Sequence, residues 1–311
     1  MIKRHNRWIV YSIVAALFWG VWGVIAKLIA EDINPYTNHF LFSCGMLVTV
    51  PFVFRKCVAV KPKARGIGWG LIAGILAIAG NIAVYNSFAS GGMAAIVIPV
   101  TNLYPMITIA IAISFFKEKL NWVNAAGILL AIPAVIILSG ESLLFDKPSV
   151  FFQNFTFNAW LLFALVALFF WGVFSAAQKV TTNYISAEWS YMIFIFSSLL
   201  IAIAFWFAGL INFDFKAGTL WLGILAGMLN GLGVLASFAA YSAEGKASKV
   251  TTIAGSLQPV FTILLAYAFL SENLTLLEMT GILLAIFAAL ALSYEKPKPT
   301  GATNIAPLQI K

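Results

Sequence analysis

The sequence predicts an all-α polytopic membrane protein, ten transmembrane helices arranged as two inverted five-helix repeats, and three observations predict it. Its 311 residues are 62% hydrophobic and only 10% charged, which leaves too few ionic groups to solvate the surface of a soluble domain of that size. The charged residues gather into short clusters separated by apolar runs of roughly 18–24 residues, the length that crosses about 30 Å of hydrocarbon at 1.5 Å per residue. The chain also matches itself at an offset of 152–154 residues through most of both halves, the mark of an internal repeat.

Taken in order, the apolar runs place spans near 8–30, 36–54, 67–89, 94–116 and 122–139. A second set follows near 158–179, 189–209, 219–242, 250–270 and 276–294. Met1–Arg7 and the apolar run after it resemble a signal peptide, but the run continues to about Ala30 without a small-x-small cleavage site. It is therefore read as an uncleaved first span. The longest connection, Gly140–Asn158, divides a first repeat at 1–140 from a second at 158–294, which a tail at 295–311 follows.

The basic residues orient this arrangement. Sixteen of the nineteen fall on one side, including Lys3, Arg4, Arg7, Arg55, Lys56, Lys61, Lys63, Arg65, Lys117, Lys119, Lys179, Lys246 and Lys249. Only Lys27, Lys147 and Lys216 fall on the other, so the positive-inside rule puts both termini in the cytoplasm. The net charge of +8 thus reads as membrane orientation; no solvated basic face with readout residues points to nucleic acid. Cys44 lies within an apolar run and Cys57 in a basic loop, so both are read as unpaired.

The repeat is carried by residues that composition alone does not reproduce. Phe18-Trp19-Gly20 with Lys27 recurs as Phe170-Trp171-Gly172 with Lys179, and Gly70 and Gly74 recur as Gly223 and Gly227. Pro105 and Glu118 match Pro259 and Glu272, and the hexapeptide beginning at Gly127 returns at Gly281. Five spans is an odd number, so the second copy runs inverted. Such symmetry lets two halves exchange conformations around a midplane site, which is the basis of alternating access.

These residues resemble the drug/metabolite transporter superfamily, specifically its EamA-type members with two five-helix repeats. The resemblance rests on the aromatic-Trp-Gly start of each half, the Pro105 and Pro259 helices with Glu118 and Glu272 after them, and the Gly-Ile-Leu-Leu helices closing each half. It implies a ten-helix basket whose cavity is lined mainly by the first, third and fourth helices of each half. It also implies export or exchange of metabolites, amino acids or drugs across a bacterial inner membrane.

Polar groups in hydrocarbon must find partners or line water, so those well inside spans are candidate binding residues. In the first half these are Asn81, Tyr85, Asn86, Thr101, Asn102 and Tyr104; in the second, Gln178, Asn230, Tyr241, Ser256 and Gln258. Trp19, Trp22 and Trp171 sit mid-span, away from the interface where membrane tryptophans anchor, and are candidate apolar walls for a solute. Lys27 and Lys179, equivalent in the repeat, are candidates for gating or for attracting an anionic group. The paired Gly positions are assigned to close helix packing, and Glu118 and Glu272 to helix-end contacts. No Asp or Glu lies well inside a span, which favours facilitated diffusion or exchange over a carboxylate proton relay.

An enzyme would need a nucleophile–base pair, a carboxylate dyad or a metal cluster. His5 and His39 have no metal-ligand spacing, and no HExxH or Walker A run occurs, so no metal, no cofactor and no catalysis are expected. The expected function is a secondary transporter of amino acids or related small organic solutes, acting within the lipid bilayer as a monomer or homodimer. A sugar or nucleotide-type carrier is the alternative substrate reading, and a channel or lipid scramblase the alternative from another class.

Overall fold

The computed structural model describes residues 7–57, 61–116, 121–138, 158–243, 247–292 and 294, which among them form helices and no strands. The first half holds α1 (Arg7–Ile29), α2 (Pro35–Leu47), α3 (Val50–Cys57), α4 (Ala64–Ala89), α5 (Ala94–Thr101), α6 (Pro105–Phe116) and α7 (Trp122–Leu138). The second holds α8 (Ala159–Thr182), α9 (Ala187–Phe207), α10 (Ala217–Ser242), α11 (Ala247–Phe269) and α12 (Leu276–Leu292). Among the described residues six helices are long and apolar enough to cross a membrane, seven if the bent pair α2–α3 is one span, and three shorter apolar helices accompany them. Phe52, Leu129, Trp221, Leu264 and Phe287 turn outward and exposed, as a lipid-facing surface requires.

The helices follow the apolar runs, though among the described residues six or seven rather than ten have the length and hydropathy of a span; the second run is bent, and the fourth, whose Ala94–Ile111 stretch counts as one span, carries a turn. The second bends by 56° between α2 and α3, where Pro51 removes a backbone donor just past the bend. The fourth breaks at residues 102–104, ahead of Pro105 at the start of α6. Proline lacks the N–H and biases the residue before it out of the α region. Pro259, its repeat partner, lies inside α11 without ending it. Caps fix other boundaries: Asn34 accepts from Thr37 N at 2.8 Å with Pro35 leading α2, and Ser186 accepts from Trp189 N at 3.3 Å at the start of α9, each worth about 1 kcal/mol.

Contacts define two ends of the bundle. At the end where α1 begins, Trp189 Nε1 donates to Cys57 O at 3.1 Å and the Arg65 guanidinium stands 5.4 Å over the Tyr184 ring. At the opposite end Lys27 Nζ donates to Phe88 O at 3.4 Å and Ser87 Oγ to Trp160 O at 2.8 Å. So α1 and α4 finish where α8 starts, and the two halves run in opposite senses. Of the basic side chains described, Arg7, Arg55, Lys56, Lys61, Lys63, Arg65 and Lys179 lie at the amino-terminal end, and Lys27 and Lys216 at the other.

The halves interlock reciprocally. Helix α1 packs on α10 and α11, as α8 packs on α4, α5 and α6; α2 packs on α10 as α9 packs on α4; and α7 packs on α12. Close approach requires glycine at these crossings. A Cβ on Gly20 would lie 2.6 Å from Phe261 Cβ, and one on its partner Gly172 would lie 2.5 Å from Ile107 Cβ. Thr262 Oγ1 donates to Gly20 O at 3.3 Å, and its counterpart Thr108 Oγ1 to Gly172 O at 2.9 Å. Gly70 against Ile193 is mirrored by Gly223 against Leu41, which supports the packing role expected for the repeated glycines.

Candidate functional site

Where α1, α4, α8, α10 and α11 diverge, they enclose a cavity with about 630 Å³ of atom-free space, part of it open. The indoles of Trp19, Trp22 and Trp171 and the ring of Phe174 form its apolar wall. Trp22 and Trp171 lie 6.1 Å apart, centroid to centroid, at 53°. Each repeated indole is seated by a glycine of the other half, because a Cβ on Gly233 would overlap Trp19 and one on Gly80 would overlap Trp171.

The polar lining comes mainly from amides and hydroxyls. Trp171 Nε1 donates to Asn81 Oδ1 at 3.2 Å, and Gln178 Nε2 to Ser237 Oγ at 3.0 Å. Ser175, Asn230, Tyr104, Tyr241 and Gln258 complete the set. None of the described lining residues carries a charge, so a solute there would meet hydrogen-bonding dipoles and aromatic faces.

Nine of the fourteen candidate binding residues thus line one space: Trp19, Trp22, Asn81, Tyr104, Trp171, Gln178, Asn230, Tyr241 and Gln258. Five do not: Asn86 and Thr101 donate to carbonyls of their own helices, Ile82 O and Ile98 O, and three others lie elsewhere. Tyr85 is buried behind the wall, with its hydroxyl 3.4 Å from Trp22 Nε1, and Asn102 and Ser256 are buried outside the cavity lining. Lys27 and Lys179 are also outside it, Lys27 reaching a carbonyl at the opposite end. Ser175 and Ser237 were not singled out from the sequence. Their spacing offered a signal, because Trp171, Ser175 and Gln178 share a helix face, as do Asn230, Ser237 and Tyr241.

The cavity is displaced toward the amino-terminal end. Gln178, Ser175, Ser237 and Tyr241 line it there; their repeat equivalents, Ala26, Gly23, Val84 and Phe88, are buried in the packed opposite end. Glu272 secures that end. Its Oε1 accepts from Ala94 N at 2.8 Å and its Oε2 from Ala95 N at 2.9 Å, so a carboxylate from the second half caps α5 of the first, where unpaired N–H groups and the helix dipole favour negative charge. The helix-end contact expected of Glu272 is present, while Glu118 lies outside the described residues.

The family model for EamA-like transporters matches residues 6–140 and 158–294, one match for each half. The chain belongs to the EamA-like transporter family. An uncharacterized protein of Methanocaldococcus jannaschii is 27% identical over 132 residues, 42% of this chain and 95% of that relative, whose length is therefore about one repeat. A solved crystal structure superposes with a TM-score of 0.62 at 16% identity over 91% of this EamA-like chain and 95% of its own, which shows a shared fold. The protein is an integral membrane protein of a small-solute transporter family.

Proposed function

We propose that this EamA-like transporter is a secondary carrier of amino acids or related small organic metabolites, working by alternating access as an exporter or exchanger. The observation that carries the reading is the displaced cavity: polar and hollow at one end, apolar and packed at the equivalent positions of the other. A pseudo-symmetric protein with one end hollow is in one of two exchangeable states. The aromatic walls would take the solute's apolar part, and the amides of Asn81, Gln178, Asn230 and Gln258 its polar groups.

A sugar suits the same amide and aromatic lining. A nucleotide suits it less, because among the described residues no cation lines the cavity, Lys27 and Lys179 standing outside it, and a phosphate calls for one. The sealed end weighs against a continuous channel or a scrambling groove. The basic residues gathered at the amino-terminal end support cytoplasmic termini in a bacterial inner membrane, so the cavity faces the cytoplasm. One chain supplies the whole cavity, which suits a monomer or a homodimer of complete carriers.

Purified protein in liposomes, tested for uptake of labelled amino acids, sugars and nucleotides with and without internal counter-substrate, decides the matter. Saturable uptake that rises with counter-substrate is expected; linear, unsaturable leakage would replace the carrier by a channel or scramblase.

A further inference from the structure

Beside the cavity, beneath Tyr104, the fourth segments of the two halves meet. Asn102 and Ser256, separated by the same 154 residues as Pro105 and Pro259, stand three positions ahead of those prolines. Both are more than nine-tenths buried, at 1% and 6% exposure. Asn102 Oδ1 and Ser256 Oγ have no hydrogen-bond partner, a costly condition for a buried polar atom.

The Asn102 amide is not free to turn away. Its Nδ2 donates to Ile98 O at 2.9 Å, which leaves Oδ1 directed elsewhere, and a Cβ on Gly255 would stand 3.5 Å from that oxygen and 3.9 Å from Tyr104 Oη. Gly255 supplies a further acceptor, since its carbonyl is the one whose helical donor Pro259 lacks. The unpartnered Asn102 oxygen thus faces the α11 backbone at Gly255, one residue ahead of the unpartnered Ser256 hydroxyl, where α5 and α11 touch.

We infer that these oxygens form a binding site for a monovalent cation, sodium, next to the solute cavity. Uncharged oxygen donors suit a hard cation. A divalent ion would require carboxylates to offset its dehydration in the membrane, and no carboxylate belongs to this group. Carbonyls released by helix interruptions at mid-depth are the usual means of holding such ions in carriers. Because Tyr104 lines the cavity and adjoins the group, occupancy of the cation site would set the ring that the solute meets.

The test is equilibrium binding of radiolabelled sodium to the purified full chain in detergent, which does not depend on the carrier reading being correct. The expected result is saturable binding of one ion per chain, displaced by unlabelled sodium and not by potassium. Asn102→Leu and Ser256→Ala weaken it at least about tenfold, and Asn102→Asp, which adds a charge to the same position, tightens it by a similar factor. Thermal melts identify variants that fail to fold. Absence of a saturable component in the wild-type protein overturns the inference and means that the oxygens hold water only, as does binding unchanged in folded variants. Solute counterflow that proceeds without any labelled-sodium binding would retain the carrier reading and remove this one.

Discussion

The two ends of the bundle are built from equivalent positions of one repeated sequence and do opposite things. At the amino-terminal end Gln178 bonds Ser237 across an open space. At the other, Ala26 and Val84 occupy the corresponding places with no exposure at all. The difference lies in a few side chains, and their chemistry matches their surroundings: hydroxyls and amides where the cavity lies, methyls where helices pack. Under the proposed alternating access, divergence at these positions would bias which of the two states is packed.

The largest way to break that asymmetry is at Glu272. Glu272→Ala removes both carboxylate hydrogen bonds from the α5 amides, each worth about 1.5–3 kcal/mol, so the sealed end loses roughly 3 kcal/mol or more relative to the alternate state. That is on the order of a hundredfold in population. A cysteine at position 94, buried in the sealed arrangement, should then react with a water-soluble maleimide far faster in the Ala variant than with Glu272 intact, on a background with Cys44 and Cys57 replaced. Equal labelling rates would mean that the cap does not hold this end shut.

A smaller effect is expected at the glycines that seat the two indoles. Gly80→Ala and Gly233→Ala each force an indole to shift, at about 1–3 kcal/mol of overpacking. The first should cost more, because Trp171 would also lose its bond to Asn81 Oδ1. Thermal melts of the two variants rank them, and counterflow should fall in both. Equal melts would mean that the bond contributes nothing beyond packing.

Much of this architecture was legible in the sequence, for a physical reason: hydrocarbon demands long apolar helices, and the repeat is visible in its Trp, Pro, Glu and Lys positions. The helix breaks were not, since Pro105 interrupts its helix while Pro259, with the same local chemistry, does not. Tertiary packing decides that outcome. The polar in-span residues lie on the helices that border the cavity, yet Tyr85, Asn102 and Ser256 stand outside its lining. Depth along a span is readable from sequence; rotation of each helix about its axis depends on neighbours whose glycines and indoles meet only in three dimensions. Which end is hollow was also hidden, because a repeated sequence describes both ends at once.

Within the hollow end, Gln178→Ala removes one neutral hydrogen bond, about 1 kcal/mol of stability, and one candidate solute contact. Half-saturation of counterflow should rise by up to about tenfold while the maximum rate is retained. A fall in maximum rate at unchanged half-saturation would assign Gln178 to closure of the cavity instead of to solute binding.

The smallest effect belongs to the connections that meet outside the bundle at the sealed end. Thr219 Oγ1 donates to Asp32 Oδ2 at 2.8 Å and Lys216 Nζ approaches Oδ1 at 3.4 Å. The Thr219 bond, followed by the Lys216 charge, holds the Asp32 carboxyl below its usual range. A lowered carboxyl favours the folded contact above the ordinary Asp value of about 3.9, and the contribution disappears as pH falls through the lowered value. The pair is solvent-exposed, so screening keeps the effect slight. Melts of the wild-type protein and Asp32→Asn should therefore differ near neutral pH and converge on acidification below about 3.9. A difference that persists in acid would trace the contact to the shape of the loop and not to its charge.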